Sequence, residues 1–348
     1  MLAIEKSRIK TLIFLMAGLF LLGIVGVFAA SCGAASITAL DVIKAVGAKL
    51  FPFTGVTTSP LADTVVWNLR LPRIVTAMVA GAGFAVSGVA MQGIMRNPLV
   101  SPFTIGISSG AGFGASLAMV LGIGIAGSGQ YFIIGNAFFF AILSAVLVYS
   151  VASLRGISPE TLILGGIALT YLFSASTSLL QYIATEHQLQ GVVFWLFGSL
   201  SGATWKNVAA MALVCGICIP GLMKHSWDLN ALATGDEVAA SLGVSAARVR
   251  MAVMLLSSLI TATIICFTGI IGFVCLVAPH ITRMIIGSDH RILIPFASIV
   301  GALLLLAADT VGRTVLAPSE IPVGIVTAFI GVPMFLFLLL TKRSQNFQ

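Results

Sequence analysis

The densest group of charged side chains lies between Lys224 and Arg250, in the segment KHSWDLNALATGDEVAASLGVSAARVR. Five of its charged residues would be costly at membrane depth: Asp228, Asp236, Glu237, Arg248 and Arg250. The segment is therefore predicted to lie in water, where its carboxylates, guanidiniums and apolar side chains can bind a partner.

Asp228 and Asp236 are typical N-cap residues, and glycine follows each predicted helix, so the pattern predicts short helices over 228–234 and 236–242. The second helix would carry a small apolar face: Val238, Ala239 and Leu242. Such a face suits a groove on a soluble partner. Packing of the helix on its own protein is an equally good interpretation of the residues alone.

Three arginines, Arg70, Arg73 and Arg313, fall at the other ends of the predicted helices. Together they could bind a carboxylate-bearing partner, or each could extend its head group to the membrane surface. Asp309 lies four residues before Arg313, which predicts an i,i+4 ion pair. A proton-coupling role for Asp309 is the alternative.

The sequence contains no G-x-x-x-x-G-K-[ST] P-loop, no H-E-x-x-H and no Ser-His-Asp pattern. Its five cysteines include a C-x-x-C at Cys215 and Cys218, in apolar context where small buried side chains are expected. We therefore predict no catalytic residue, no metal site and no cofactor bound by this chain.

The composition is 59% hydrophobic and 8% charged over 348 residues. A soluble domain carries about a quarter charged residues, so the class is an all-α integral membrane protein in contact with lipid. The net charge of +7 is spread between apolar runs instead of being clustered, which argues against nucleic-acid binding.

Hydropathy predicts ten spanning helices within one membrane domain over 1–348. Their predicted ranges are 11–31, 74–94, 104–122, 131–153, 161–183, 206–223, 249–268, 270–286, 293–312 and 322–341. Residues 38–50 form an amphipathic piece expected at the interface. Residues 192–202 are too short to span, so they are expected to be re-entrant or interfacial. Pro72 is expected to start the second span, and GAGFAVSG (81–88) to let another helix approach closely.

The distribution of Lys and Arg predicts the orientation. The side opposite the termini would hold six of the 18, which are Lys44, Lys49, Arg70, Arg73, Lys206 and Arg313. The remaining 12 lie on the side of the termini, so both termini and the charged segment, about 225–248, are predicted to be cytoplasmic.

Several long motifs resemble those of a known family. They are LRLPRIVTAMVAGAGFAVSGVAMQGIMRNPLVSPFTIGISSGAG (69–112), GDEVAASLGV (235–244), GFVCLVAPHITRMIIG (272–287), LAADTVGR (306–313) and EIPVGIVTAFIGVPMFLFLL (320–339). The sequence resembles the permease subunits of binding-protein-dependent ABC importers for iron–siderophores, haem and vitamin B12. The resemblance covers roughly residues 60–340.

This resemblance implies specific roles for residues. The segment 235–244 matches the coupling helix that enters a groove on the ATPase. The docking positions carried over are Asp236, Glu237, Ala240, Leu242 and Gly243. The outer arginines, which meet carboxylates of the binding protein, match Arg70, Arg73 and Arg313. The cytoplasmic gate turns match Asn97 and Leu99 in one loop and Ser158 in another.

The resemblance also implies the assembly: a homodimer of ten-helix subunits in the cytoplasmic membrane of a prokaryote, with the translocation path at the dimer interface. Two separate ATP-binding subunits, which carry ATP and Mg, would bind on the cytoplasmic side, and an extracytoplasmic binding protein would deliver the cargo. A ferric siderophore is the first expectation, with haem, cobalamin and molybdate as alternatives. An ion-coupled secondary transporter is the alternative of a different class.

Overall fold

The fold is helical throughout the part of the chain that the computed structural model describes, which is residues 2–33, 37–51, 53, 58–124 and 129–341. Met1 and 342–348, which belong to the predicted cytoplasmic termini, lie outside this part. The helices are α1 (Leu2–Ser31), α2 (Ala39–Leu50), α3 (Pro60–Val65), α4 (Leu71–Met95), α5 (Ile107–Leu121), α6 (Gln130–Arg155), α7 (Pro159–Ile183), α8 (Glu186–Phe197), α9 (Trp205–Lys224), α10 (Ser226–Leu232), α11 (Asp236–Ser241), α12 (Ala246–Thr268), α13 (Val274–Ile286), α14 (His290–Thr314) and α15 (Val323–Thr341).

Each predicted span coincides with one of these helices to within a few residues at most ends. Seven described helices are long and apolar enough to cross a membrane. Three further predicted spans coincide with shorter apolar helices, Ile107–Leu121, Val274–Ile286 and Val323–Met334. A membrane protein with several spanning helices is thus established, and the number of ten crossings stays a prediction.

Pro72 lies at the start of α4 as predicted, but the helical chain is not interrupted there. One helical segment runs from Pro60 to Met95 and includes a π-turn at Val66–Arg70, in which the Leu71 N–H donates to the Val66 carbonyl. Pro72 has no N–H to continue this pattern to the carbonyl five residues earlier, which belongs to Trp67. The indole Nε1 of Trp205 donates to that oxygen at 2.8 Å. A distant side chain therefore satisfies the acceptor that proline leaves free.

The short helix expected within 192–202 lies earlier in the chain. Helix α8 begins after a capping box between Thr185 and Gln188 and ends at Phe197. The following segment is irregular, and the Ser199 N–H donates to the Thr268 carbonyl at the end of α12, at 2.8 Å. Non-helical backbone at membrane depth needs such partners within the protein. The irregular segment 198–204 is therefore attached to the C-terminal end of α12.

Helix α4 lies at the centre of the bundle and packs against α14, α12, α13 and α9. Its contact with α14 is close because glycines face each other: a Cβ on Gly81 would lie 2.2 Å from the Gly301 carbonyl oxygen. This confirms the prediction that the 81–88 stretch admits another helix closely. Helices α5, α6 and α7 pack together, and α12 contacts both α4 and α6.

Replacing Gly81 by alanine should separate α4 from α14 at this point. Overpacking of this kind costs about 1–3 kcal/mol, so the melting temperature of the purified protein should fall by several degrees. Gly216→Ala in α9 is the matched control, because a Cβ there meets nothing within 4 Å. Equal melting temperatures for the two variants would show that the close contact contributes little.

Candidate docking and gate site

Arg250, near the start of α12, joins three segments at one end of the bundle. Its guanidinium forms a bidentate pair with Asp236 of α11, with Nη1–Oδ2 and Nη2–Oδ1 distances of 2.8 and 2.9 Å. Its Nε donates to the Ile94 carbonyl in α4, and Nη1 also donates to the Ile157 carbonyl before α7, both at 3.1 Å. The arginine is 2% exposed, so these partners replace its water. We call Asp236, Arg250 and the two carbonyls the Arg250 cluster.

Hydrogen bonding by Arg250 holds the pKa of Asp236 below its ordinary value. A carboxylate with a lowered pKa stabilises the fold at pH values above its unfolded-state pKa. That contribution is lost only as the pH falls through the lowered pKa. The ion pair is therefore intact across the neutral range.

Helix α11 presents an apolar face away from the bundle. Leu242 is 67% exposed and Val238 47% exposed, and the predicted docking residues Glu237, Ala240 and Gly243 are exposed as well. Two details of the prediction are wrong. Ala239, expected on the outer face, is fully buried because it turns toward the protein.

The predicted N-caps are the second error. Asp228 and Asp236 lie in the first turns of α10 and α11, after His225 and Gly235 at the N-cap positions. Carboxylates are favoured there by the helix dipole without capping it. Asp228 instead pairs with the His225 imidazole at 2.8 Å.

The predicted gate turn after α4 is rigid. Arg96 ends the helix in the left-handed conformation, with φ of 50°, and Asn97 N–H donates back to the Gln92 carbonyl at 3.2 Å. Asn97 Oδ1 accepts the Leu99 N–H at 2.9 Å, so the asparagine shapes the turn while Leu99 stays half exposed. A non-glycine residue with positive φ is a local cost that other contacts must offset. Here Arg96 also lies 3.7 Å from Asp236.

The second predicted gate residue, Ser158, is the N-cap of α7. Its hydroxyl accepts the Thr161 N–H at 3.3 Å, and the Thr161 hydroxyl accepts the Ser158 N–H at 3.1 Å. The neighbouring Ile157 carbonyl belongs to the Arg250 cluster. The structure therefore brings α11 and the two turns that were predicted to form the gate together around one guanidinium.

At the opposite end of α4, about 37 Å away for its 25 residues, Asp309 lies between two of the predicted arginines. Arg73 donates to it at 2.9 and 3.0 Å and also reaches Glu320 at 2.8 Å. Arg313 donates at 3.1 Å, which confirms the predicted i,i+4 ion pair. The Asp309 side chain is fully buried and Glu320 is 46% exposed.

Arg70 and Arg313 also cap a helix. Arg313 donates to the Cys32 and Ala29 carbonyls at 3.2 and 3.1 Å, and Arg70 donates to the Ala30 carbonyl. These carbonyls lie at the end of α1, where cations are favoured by the dipole and the last carbonyls need donors. Arg70 is 7% exposed and the Arg313 side chain 8%. The protein therefore encloses most of both side chains.

Sequence analysis did not assign the role of Arg250 or the partnership of Glu320 with Arg73. The available signal was that Arg250 is a charged residue just inside an apolar helical run, where it needs buried partners. Its partners, however, lie up to 156 positions away. In the described residues, no group of three His, Cys, Asp or Glu side chains could hold a metal ion.

These features define a polytopic, all-helical membrane protein. At one end, the Arg250 cluster holds α11 so that its apolar side chains are exposed. The chain belongs to the FecCD transport family, whose family profile matches residues 21–341. It is 39% identical to the hemin transport system permease protein HmuU of Yersinia pestis, over 81% of this chain and 85% of that protein. It is 41% identical to the molybdate import system permease protein MolB of Haemophilus influenzae, over 81% and 82%.

A solved structure agrees with this assignment. An inward-facing metal-chelate type ABC transporter superposes with a TM-score of 0.83 at 36% identity, covering 94% of this chain and 99% of that one. The resemblance found in the motifs is thereby confirmed. The chain is an ABC importer permease of this family, and the comparisons leave its cargo open.

Replacing Arg250 by lysine should release α11 from the bundle. Lysine cannot form the bidentate pair and reach both carbonyls. Amide hydrogen exchange at 236–242 should therefore accelerate by at least about tenfold. Arg248→Lys, at an exposed position outside the cluster, is the control. If both variants exchange like the parent protein, the Arg250 cluster does not hold the helix in place.

Proposed function

We propose that residues 1–348 form one permease domain of an ATP-driven importer, and that its coupling segment, about 225–248, binds a separate ATPase subunit. The observation that carries this proposal is the exposed apolar pair Val238 and Leu242 on a helix held from behind by the Arg250 cluster. An exposed apolar face is a docking surface, and rigid support is what force transmission requires. ATP and Mg would bind to the partner, and this chain would hold no cofactor.

The orientation proposal places α11 in the cytoplasm of a prokaryote whose cytoplasmic membrane contains the protein. The excess of Lys and Arg on that side supports it. The helix directions support it as well, because α1 ends beside Arg313 and α15 begins beside it. The first helix therefore begins at the end of the bundle that carries α11, and the last helix runs toward that same end.

The translocation path would lie between two copies of the chain. Support comes from the irregular segment 269–273, since non-helical backbone at membrane depth occurs where it is buried or lines a cavity. Next to it lies a cavity of about 580 Å³, bordered by Phe197, Phe273 and Phe329. None of the described residues in these walls has a metal-ligating side chain, and a cargo would pass without tight binding.

Closure of the two ATPase subunits would move α11, and the Arg250 cluster would pass that motion to both gate turns at once. Since the Ile94 and Ile157 carbonyls bond to the same guanidinium, the turns containing Asn97 and Ser158 cannot shift independently of α11. Such rigid-body coupling is a recognised means of switching access.

A ferric siderophore is the cargo we propose, with haem, cobalamin and molybdate as alternatives. Two relatives carry names that specify hemin and molybdate, so the shared fold does not select between a large chelate and a small oxyanion. The test is ATP-dependent uptake of each labelled cargo in cells with and without this permease. Uptake of one cargo that disappears with the permease identifies it. Uptake that survives without ATP and stops when the proton gradient is collapsed would instead show a secondary transporter.

Leu242→Asp should abolish uptake by preventing ATPase association, because it places a charge in the centre of the proposed docking face. Co-purification of the ATPase measures this directly. Ser153→Asp, also exposed but near the end of α6 and outside the coupling segment, adds the same charge and should keep the complex. Retention of the ATPase by the Leu242 variant would contradict the docking proposal.

Docking of the binding protein at Arg70, Arg73 and Arg313 has to compete with internal partners. Glu320 is the exposed competitor for Arg73, so Glu320→Gln should strengthen docking of an acidic binding protein and Arg73→Gln should weaken it. Both effects should shrink at high salt. Binding affinities measured at low and high ionic strength test this. If both substitutions changed the affinity for the binding protein in the same direction, the arginines would act only in stabilising the fold.

A further inference from the structure

A basic cavity of about 260 Å³ lies beside the first gate turn, at the end of the bundle that carries α11. Its wall includes Gln92, Arg96, Asn97, Arg283 and His290. Two of these residues are arginines, and none of the described residues that line the cavity is acidic. At roughly 30 Å³ per water, the space holds about eight waters, or a small ion with part of its hydration shell.

Arg283 is incompletely partnered in this wall. Among the described residues, the one acceptor assigned to its guanidinium is Gln92 Oε1, which receives a bond from Nη1. A guanidinium carries five donors, so most of its capacity remains for a ligand. This contrasts with Arg250, whose Nε and both Nη atoms donate to protein acceptors.

Two further nitrogens in the wall are buried without a hydrogen-bond partner: Gln92 Nε2 and His290 Nε2. Gln92 is 3% exposed and His290 5%. The Gln92 nitrogen belongs to an amide whose oxygen is occupied by Arg283, so it is a donor. Buried polar atoms of this kind need a partner from outside the protein.

His290 supplies the complementary group. Its Nδ1 lies 2.8 Å from Asn230 Oδ1, an oxygen that also accepts the His290 backbone N–H at 2.9 Å. An acceptor oxygen fixes Nδ1 as the protonated nitrogen, so Nε2 of the neutral ring is an acceptor. That atom lies over Gly93, another wall residue, where a Cβ would approach it to 2.8 Å.

We propose that this cavity binds an oxyanion of the hydrogen phosphate type. Arg283 and Gln92 Nε2 would donate to its oxygens, and its O–H would donate to His290 Nε2. Arg96, whose Nη2 lies 3.7 Å from Asp236 Oδ1, would add positive charge at the mouth. Binding by the cavity is a property of this chain alone and does not rest on the proposed transport function. The same chemistry is offered by inorganic phosphate and by the phosphomonoester head group of a lipid.

The test is equilibrium binding of radiolabelled inorganic phosphate to the purified permease in nanodiscs of zwitterionic lipid at pH 7.5. We expect phosphate binding to be saturable. We also expect sulfate to compete at least about tenfold less well than unlabelled phosphate, because sulfate has no O–H to donate to His290. Competition by short-chain phosphatidic acid at lower concentration than phosphate would identify a lipid as the source. Its failure to compete would identify the free ion.

Gln92→Glu should abolish phosphate binding, since the new carboxylate is isosteric and pairs with Arg283 in place of the ligand. Ser288→Glu, at an exposed wall position, adds negative charge with no buried change and should weaken binding at least about tenfold. Arg248→Gln, outside the wall, should leave binding unchanged. Unsaturable binding, equal competition by sulfate, or unchanged affinity in the glutamate variants would overturn the proposal.

Discussion

A buried guanidinium is stable only when the protein replaces the water that it has lost, and Arg250 imposes this requirement on three separate segments. Removing one partner from a buried charge costs roughly 3–5 kcal/mol. The ends of α4 and of the loop before α7 must therefore keep their carbonyls aimed at Arg250, and α11 must keep its carboxylate there. The position of the exposed Leu242 follows from this constraint.

Helix α4 extends the consequences through the whole bundle. Its last turn supplies a carbonyl to the Arg250 cluster, and its first turn supplies Arg73 to Asp309. Between these ends it packs closely enough with α14 that glycine is required where the two helices cross. A helix fixed by ionic contacts at both ends and by close packing in the middle behaves as a rigid element, around which the peripheral helices can be arranged.

The helices could be predicted from the sequence because the apolar runs are long and are bounded by charge, proline or glycine. The details that failed depend on contacts between distant residues. Pro72 starts a helix in isolation, but here the helix continues because Trp205 satisfies the carbonyl that proline leaves free. Asp309 could be paired with Arg313 from spacing alone. Its contact with Arg73 spans 236 positions and leaves no local pattern.

Basic residues at the two ends of α4 illustrate why charge in a sequence has no fixed meaning. Near α1, the guanidiniums of Arg73 and Arg313 meet carboxylates and helix-terminal carbonyls, so they stabilise the fold and a partner would have to displace an internal acceptor to bind them. Near α11, the guanidinium nitrogens of Arg250 all donate to acceptors within the protein. Arg283, in contrast, has a single assigned acceptor among the described residues. The number of acceptors within reach determines how much of the binding capacity of an arginine is left for a ligand. Only the folded chain provides that number.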